Sequence, residues 1–139
     1  MFWRGYGRIN RQTYFTGLVI VAALWAASVA LQIKIPGEAI ALVIAVPRLH
    51  DIGRSGWWAG GAIMIELVLM TAGIAFIATT NAETMASLAI IGLVIFYWAA
   101  LIWLGCMHGQ PNANQYGDPP PPSVSFGTYL KPKASTPGR

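Results

Sequence analysis

Apolar residues fall in four runs along the chain, and the polar breaks between them carry most of the information. The first run, Tyr14 to Ile35, is long enough to cross a bilayer, since about twenty helical residues span the hydrocarbon core. Ala22, Ala26 and Ala30 recur at helical spacing and form a small-residue stripe suited to close packing. An arginine-bearing start, an apolar run and Ser28-Val29-Ala30 also have the outline of a secretory signal. The run is longer than a usual signal core, so a retained span is expected. Pro36-Gly37-Glu38 then breaks the pattern, and the second run, Ala39 to Val46, is short. Even from Pro36 to His50 a helix would measure about 22 Å against a core of about 30 Å. It crosses only if Lys34 and Glu38 snorkel on one side and Arg48 and His50 on the other, or if the bilayer thins. A re-entrant hairpin is the alternative. Pro47 is expected to kink or end this helix.

Trp57 to Ile77 is a clear third span, Ala78 to Thr84 reads as a polar loop, and Ala86 to Cys106 is the fourth span. After Gly105 the composition turns to Gly, Pro, Asn and Gln, with Pro119 to Pro122 in a row. No apolar periodicity returns, which predicts loop or extended polyproline conformation. The proline run suits an interaction ligand or, in the plainer reading, a stiff solvated tail. The expected organisation is an interfacial segment over 1–13, a transmembrane domain over 14–107 and a Pro/Gly-rich tail over 108–139.

Composition agrees with the runs. Of 139 residues, 55% are hydrophobic and only 10% charged, against about 25% charged in soluble domains. Too little polar surface remains to cover a water-soluble globule. The net charge of +4 is not gathered into a patch interleaved with aromatics, and no nucleic-acid motif occurs, so nucleic acid is not an expected partner. Cys106 is the single cysteine, which excludes an intrachain disulfide. With Met107 and His108 it would supply too few ligands for a metal.

Charge sets the expected topology. Arg4, Arg8 and Arg11 precede the first span, Arg48 and Arg54 lie between the second and third, and Lys131, Lys133 and Arg139 follow the fourth. Four crossings put these eight on one side and Lys34 alone on the other, which fits the positive-inside rule with both termini cytoplasmic. Three crossings would split the arginines. Trp3, Tyr6, Tyr14, Trp57 and Trp58 then fall at the inner interface, where amphipathic rings are favoured. The expected fold is therefore an all-α bundle of four transmembrane helices, the second one short.

Three motifs carry a resemblance. Gly7-Arg-Ile-Asn-Arg-Gln-Thr-Tyr-Phe15, the block Arg48-Leu-His-Asp-Ile-Gly-Arg-Ser-Gly-Trp-Trp58, and the stretch from Gly109 ending Asn114-Gln-Tyr-Gly-Asp-Pro119 occur in this order. Together they resemble the DUF805 family of small membrane proteins. The resemblance implies a bacterial protein of the cytoplasmic membrane and brings no biochemical activity with it. Pro47 stands where many members carry arginine.

Arg8, Arg11, Arg48, His50, Asp51 and Arg54 are expected to share one cytoplasmic edge. Arginine forks suit phosphate oxygens. Gly53, Ser55 and Gly56 permit close backbone approach, and Ser55 could cap the third helix while its first N–H groups face an anion. A lipid phosphate or cardiolipin headgroup is one ligand for such a cluster. The structural alternative pairs Asp51 with one of the arginines and uses His50 to cap a helix end. Catalysis is the weakest reading: His50 and Asp51 are adjacent in sequence, no serine has a nucleophile elbow, and no cofactor is implied.

Glu66 sits near the middle of the third span, where an ionised, unpaired carboxylate is costly. Ala59, Ala62, Glu66 and Gly73 share a stripe, so this face is expected to pack on protein. At similar depth the other spans offer Tyr97, Trp98, Trp25 and Ser28, and a protonated Glu66 bonded to Tyr97 would be a structural solution. The functional alternative is a small proton-coupled transporter acting as a homodimer. Expected partners are thus membrane lipids and, beyond them, a second copy or another membrane protein.

Overall fold

The computed structural model describes residues 7–33, 37–80 and 83–126. It contains four helices: α1 (Arg11–Leu31), α2 (Gly37–Asp51), α3 (Trp57–Thr80) and α4 (Glu83–Cys106). Among the described residues the one β-type pairing is an isolated bridge between Asn114 and Gly117. Among the described residues three helices are long and apolar enough to cross a membrane: Arg11–Leu31, Trp57–Thr79 and Ser87–Cys106. Helix α2, with 15 residues, is not among them.

Local chemistry sets the helix ends. Asn10 caps α1, its side-chain oxygen accepting from Thr13 N–H at 2.7 Å. At the other end Gln32 takes a left-handed φ of 54°, and the N–H groups of Gln32 and Ile33 close back on Val29 and Ser28. Helix α2 ends in the same manner on Gly53, whose φ is +78°. Gly53 N–H reaches the His50 carbonyl at 3.1 Å and Arg54 N–H reaches Leu49 at 2.8 Å. This is the Schellman pattern that left-handed glycine makes available.

The helices run antiparallel and gather their polar ends together. Ile9 N–H donates to the Pro47 carbonyl, bringing the start of α1 to the end of α2, while Tyr14 Oη donates to Leu101 in α4 at 2.8 Å. The buried core sits at this same end, built from Tyr14, Leu18, Ala41, Ala45, Leu49 and Leu104 among others. Helix α2 packs against all three other helices. In contrast α3 and α4 are apolar all round and leave large side chains such as Met64, Ile65, Phe96 and Trp103 exposed, as helices facing hydrocarbon do.

Several expectations change. Helix α2 runs through Pro47 to Asp51 instead of ending at the proline, because tertiary contacts on every side hold the buried segment helical. The loop expected over 78–84 is shorter, since helix continues to Thr80 and resumes at Glu83. Thr79 Oγ1 bonds back to Ala75 and Phe76 carbonyls, so its hydroxyl needs no loop to be satisfied. Ala26 and Ala30 are exposed. The close helix approach is made instead at Gly17, where a β-carbon would come within 2.9 Å of Ile44 Cγ2. Tyr14 is fully buried, not an interfacial ring. Trp3, Tyr6, Arg4, Lys34, Lys131, Lys133, Arg139 and the Glu38 side chain lie outside what is described.

Candidate functional site

The polar block at the end of α2 folds inward. Arg8, Arg48, His50 and Asp51 are all buried, Arg48 and His50 to 0% exposure. Asp51 joins the two arginines. Arg8 Nε donates to Asp51 Oδ1 at 3.0 Å, and Arg48 Nη1, one turn earlier on α2, donates to Oδ2 at 2.6 Å. The Nη groups of both guanidiniums also find backbone carbonyls, while Arg48 Nε is buried without a hydrogen bond. Arg48 reaches Ile9 at 3.4 Å, Gly105 at 3.2 Å and Met107. Arg8 reaches Asn112 at 2.7 Å, Gly117 at 3.3 Å and Gln110.

Two cations against one carboxylate would be a poor balance for a buried site, but two helix C-termini also converge here. Asp51 ends α2, and Gly105 belongs to the last turn of α4. Each helix C-terminus carries roughly half a negative charge and four carbonyls without helical partners, so the buried charges nearly cancel. Arg48 thereby caps α4 while it pairs with Asp51.

The segment after α4 completes the cluster. Gln110 N–H donates to the Asp51 carbonyl at 2.8 Å, and Asn114 Nδ2 donates to the His50 carbonyl at 2.9 Å. A tight turn between Asn114 and Gly117, with two 3.0 Å backbone bonds, presents Tyr116 to His50. Their rings stack 3.9 Å apart and 2° from parallel. Farther along, Asn10 Nδ2 donates to Pro121 and Ser123 carbonyls, and Ser125 N–H donates to Thr13 Oγ1 at 3.0 Å. The described part of the tail is therefore a strap laid across the bundle end, not a free solvated segment. Its backbone carbonyls and N–H groups are what the buried arginines and the end of α2 require.

The sequence-predicted residues divide into two sets. Arg8, Arg48, His50 and Asp51 come together inside, and with their guanidinium groups turned to Asp51 and the backbone, Arg8 and Arg48 do not offer a headgroup site. The His50 carbonyl accepts from Asn114 Nδ2 and from Gly53 N–H, and its ring stacks on Tyr116. Arg11 and Arg54 stay exposed at the same end, as do Trp57 and Trp58 at 66% and 65% exposure. Ser55 Oγ accepts from Trp57 N–H at 3.4 Å, a long contact at the start of α3. Gln110, Asn112, Asn114 and Tyr116 were not singled out as site residues. Their motif was visible, but its partners lie across the fold.

A cavity of about 420 Å³ opens between α2, α3 and α4, with Arg54, Trp58 and Met107 at its polar end and Ile63 and Tyr97 among its lining. Glu66, half-buried on α3, is not among the lining residues. Ser28, expected near it in depth, donates to Trp25 in its own helix at 2.7 Å. Trp25 meets Trp98 edge to face at 6.4 Å. Among the described residues no group of three His, Cys, Asp or Glu could hold a metal ion.

Residues 38–118, more than half the chain, match the model of the family described as a protein of unknown function, DUF805. The chain belongs to the DUF805 family. No curated protein and no solved structure matches it. The DUF805 match contains Arg48, His50 and Asp51 together with the Gln110 to Gly117 strap that covers them. It begins beyond Gly7 to Phe15, yet in the fold this DUF805 chain draws Arg8 from that stretch into contact with Asp51.

Proposed function

We propose that this is a non-enzymatic multi-pass protein of the bacterial cytoplasmic membrane that engages anionic lipid headgroups at its cytoplasmic end. The observation that carries the reading is the division among the arginines. Arg8 and Arg48 hold the fold, whereas Arg11 and Arg54 remain exposed on the same polar end, the end that also exposes the rings of Trp57 and Trp58. Exposed arginines beside interfacial tryptophans match the level of phosphates in a bilayer.

The orientation follows from charge. Eight of the nine basic residues fall before or at the first residue of α1, around the α2–α3 turn or after α4, which favours both termini in the cytoplasm. Helix α2 is taken as a short second crossing, because its end lies beside the start of α1. At about 22 Å it leaves part of the hydrocarbon thickness to local thinning. A carrier built on Glu66 has less support, since the cavity between the helices is lined as far as Ile63 and not by the glutamate.

The test uses the full chain reconstituted in vesicles, with tryptophan fluorescence quenched by brominated phosphatidylglycerol or brominated phosphatidylcholine. Preferential quenching by the anionic lipid, lost when Arg11 and Arg54 are both changed to glutamine, supports the reading. Equal quenching by the two lipids in the native chain sinks it.

A further inference from the structure

We infer that the groove between α2, α3 and α4 is a binding site for one acyl chain of an anionic phospholipid drawn from the cytoplasmic leaflet, with the phosphate held at Arg54. The inference rests on the headgroup reading above and adds a place for the lipid's body. The groove exists because small side chains from three helices face one another: Ala41 and Ala45 on α2, Ala59 and Ala62 on α3, Ala100 on α4. Its volume of about 420 Å³ lies within the range of roughly 300–1,000 Å³ for small-molecule sites.

Length and polarity identify the occupant. From Ala41 on α2 to Ile52 just past its end, and from Tyr97 on α4 to Met107 just past its end, the lining extends about 15 Å along the helix axes. That is half of a hydrocarbon core of about 30 Å, the depth of a single leaflet. The walls are almost wholly apolar, and the one charged lining residue, Arg54, stands at the end where the headgroups lie. A guanidinium at the mouth and hydrocarbon walls below it complement a phosphate followed by an acyl chain. A peptide or a helix from a second copy would bring backbone or a wider cross-section that a groove of this polarity does not answer. Arg8 and Arg48 are internally committed, and of the exposed arginines Arg11 and Arg54 it is Arg54 that lines the groove.

The experiment is native mass spectrometry of the full chain in detergent, titrated with dioleoyl phosphatidylglycerol and, separately, dioleoyl phosphatidylcholine. The native chain is expected to hold one phosphatidylglycerol in preference to phosphatidylcholine. Ala62→Phe fills the groove from an exposed position and is expected to weaken that retention about tenfold. Its melting temperature, read in parallel, should match that of the native chain. Arg54→Gln is expected to leave a lipid bound while removing the preference for phosphatidylglycerol. Retention unchanged in a folded Ala62→Phe chain overturns the groove site and leaves the headgroup reading standing. A native chain that shows no anionic preference at all overturns both. A dimer without lipid, dissociated by Ala62→Phe, assigns the groove to a second copy and also overturns the inference.

Discussion

Arg8 Nε donates to Asp51 Oδ1 at 3.0 Å across 43 positions of sequence, and this bond ties the segment before α1 to the end of α2. Asp51 meets Arg48 with its other oxygen, so one carboxylate fixes two elements that arrive from opposite ends of the first hairpin. Its removal leaves two buried guanidiniums with carbonyls alone. Asp51→Asn is expected to destabilise the protein by about 3–5 kcal/mol, as for other broken buried pairs. Thermal unfolding in detergent checks this, and a melting temperature equal to the native chain's would refute the structural role of the pair.

Gly109 lies against the same carboxylate. A β-carbon there would collide with Asp51 Oδ2, and one on Gly105 would lie 2.7 Å from the Phe15 ring and 2.9 Å from Tyr14. Gly109→Ala and Gly105→Ala should each lower stability by about 1–3 kcal/mol through overpacking. Gly61, Gly73 and Gly92 meet nothing within 4 Å. They sit inside helices, so alanine there should be neutral or stabilising by about 0.5–1 kcal/mol. The contrast between the two sets, measured in one unfolding assay, separates local crowding from a general intolerance of substitution.

The strap should loosen when its ring contact is lost. Tyr116→Ala removes the stack on His50, worth about 1 kcal/mol, while Tyr116→Phe keeps the face. Hydrogen exchange over residues 110–126 is expected to accelerate in the alanine variant and to stay near native in the phenylalanine variant. Exchange confined to native rates in both would show that the Arg8 and Asn10 side chains, bonded to strap carbonyls, hold the strap without the ring.

Topology can be read at Cys106, which is exposed at the polar end of α4. On the proposed orientation, a membrane-impermeant maleimide is expected to leave this thiol unlabelled in intact cells and to label it after the membrane is opened. Labelling from outside would reverse the proposed orientation.

Much of this was legible along the chain. The three long apolar runs specify α1, α3 and α4 because length and composition alone decide whether a helix suits hydrocarbon. The Asn10 cap and the left-handed turn at Gly53 act within a few positions, yet the apolar pattern alone does not single them out. The concentration of Arg8, Arg48, His50 and Asp51 at one end also followed from counting crossings. What the sequence could not decide is which arginine faces inward. Arg8 and Arg11 are three residues apart on similar backgrounds, yet one is saturated by Asp51 and the strap while the other is exposed. That outcome depends on carbonyls from Gln110, Asn112 and Gly117, and on two helix C-termini meeting beside α2. Such partners carry no periodic signature, because backbone carbonyls are present at every position and acquire meaning only where the tertiary fold brings them together.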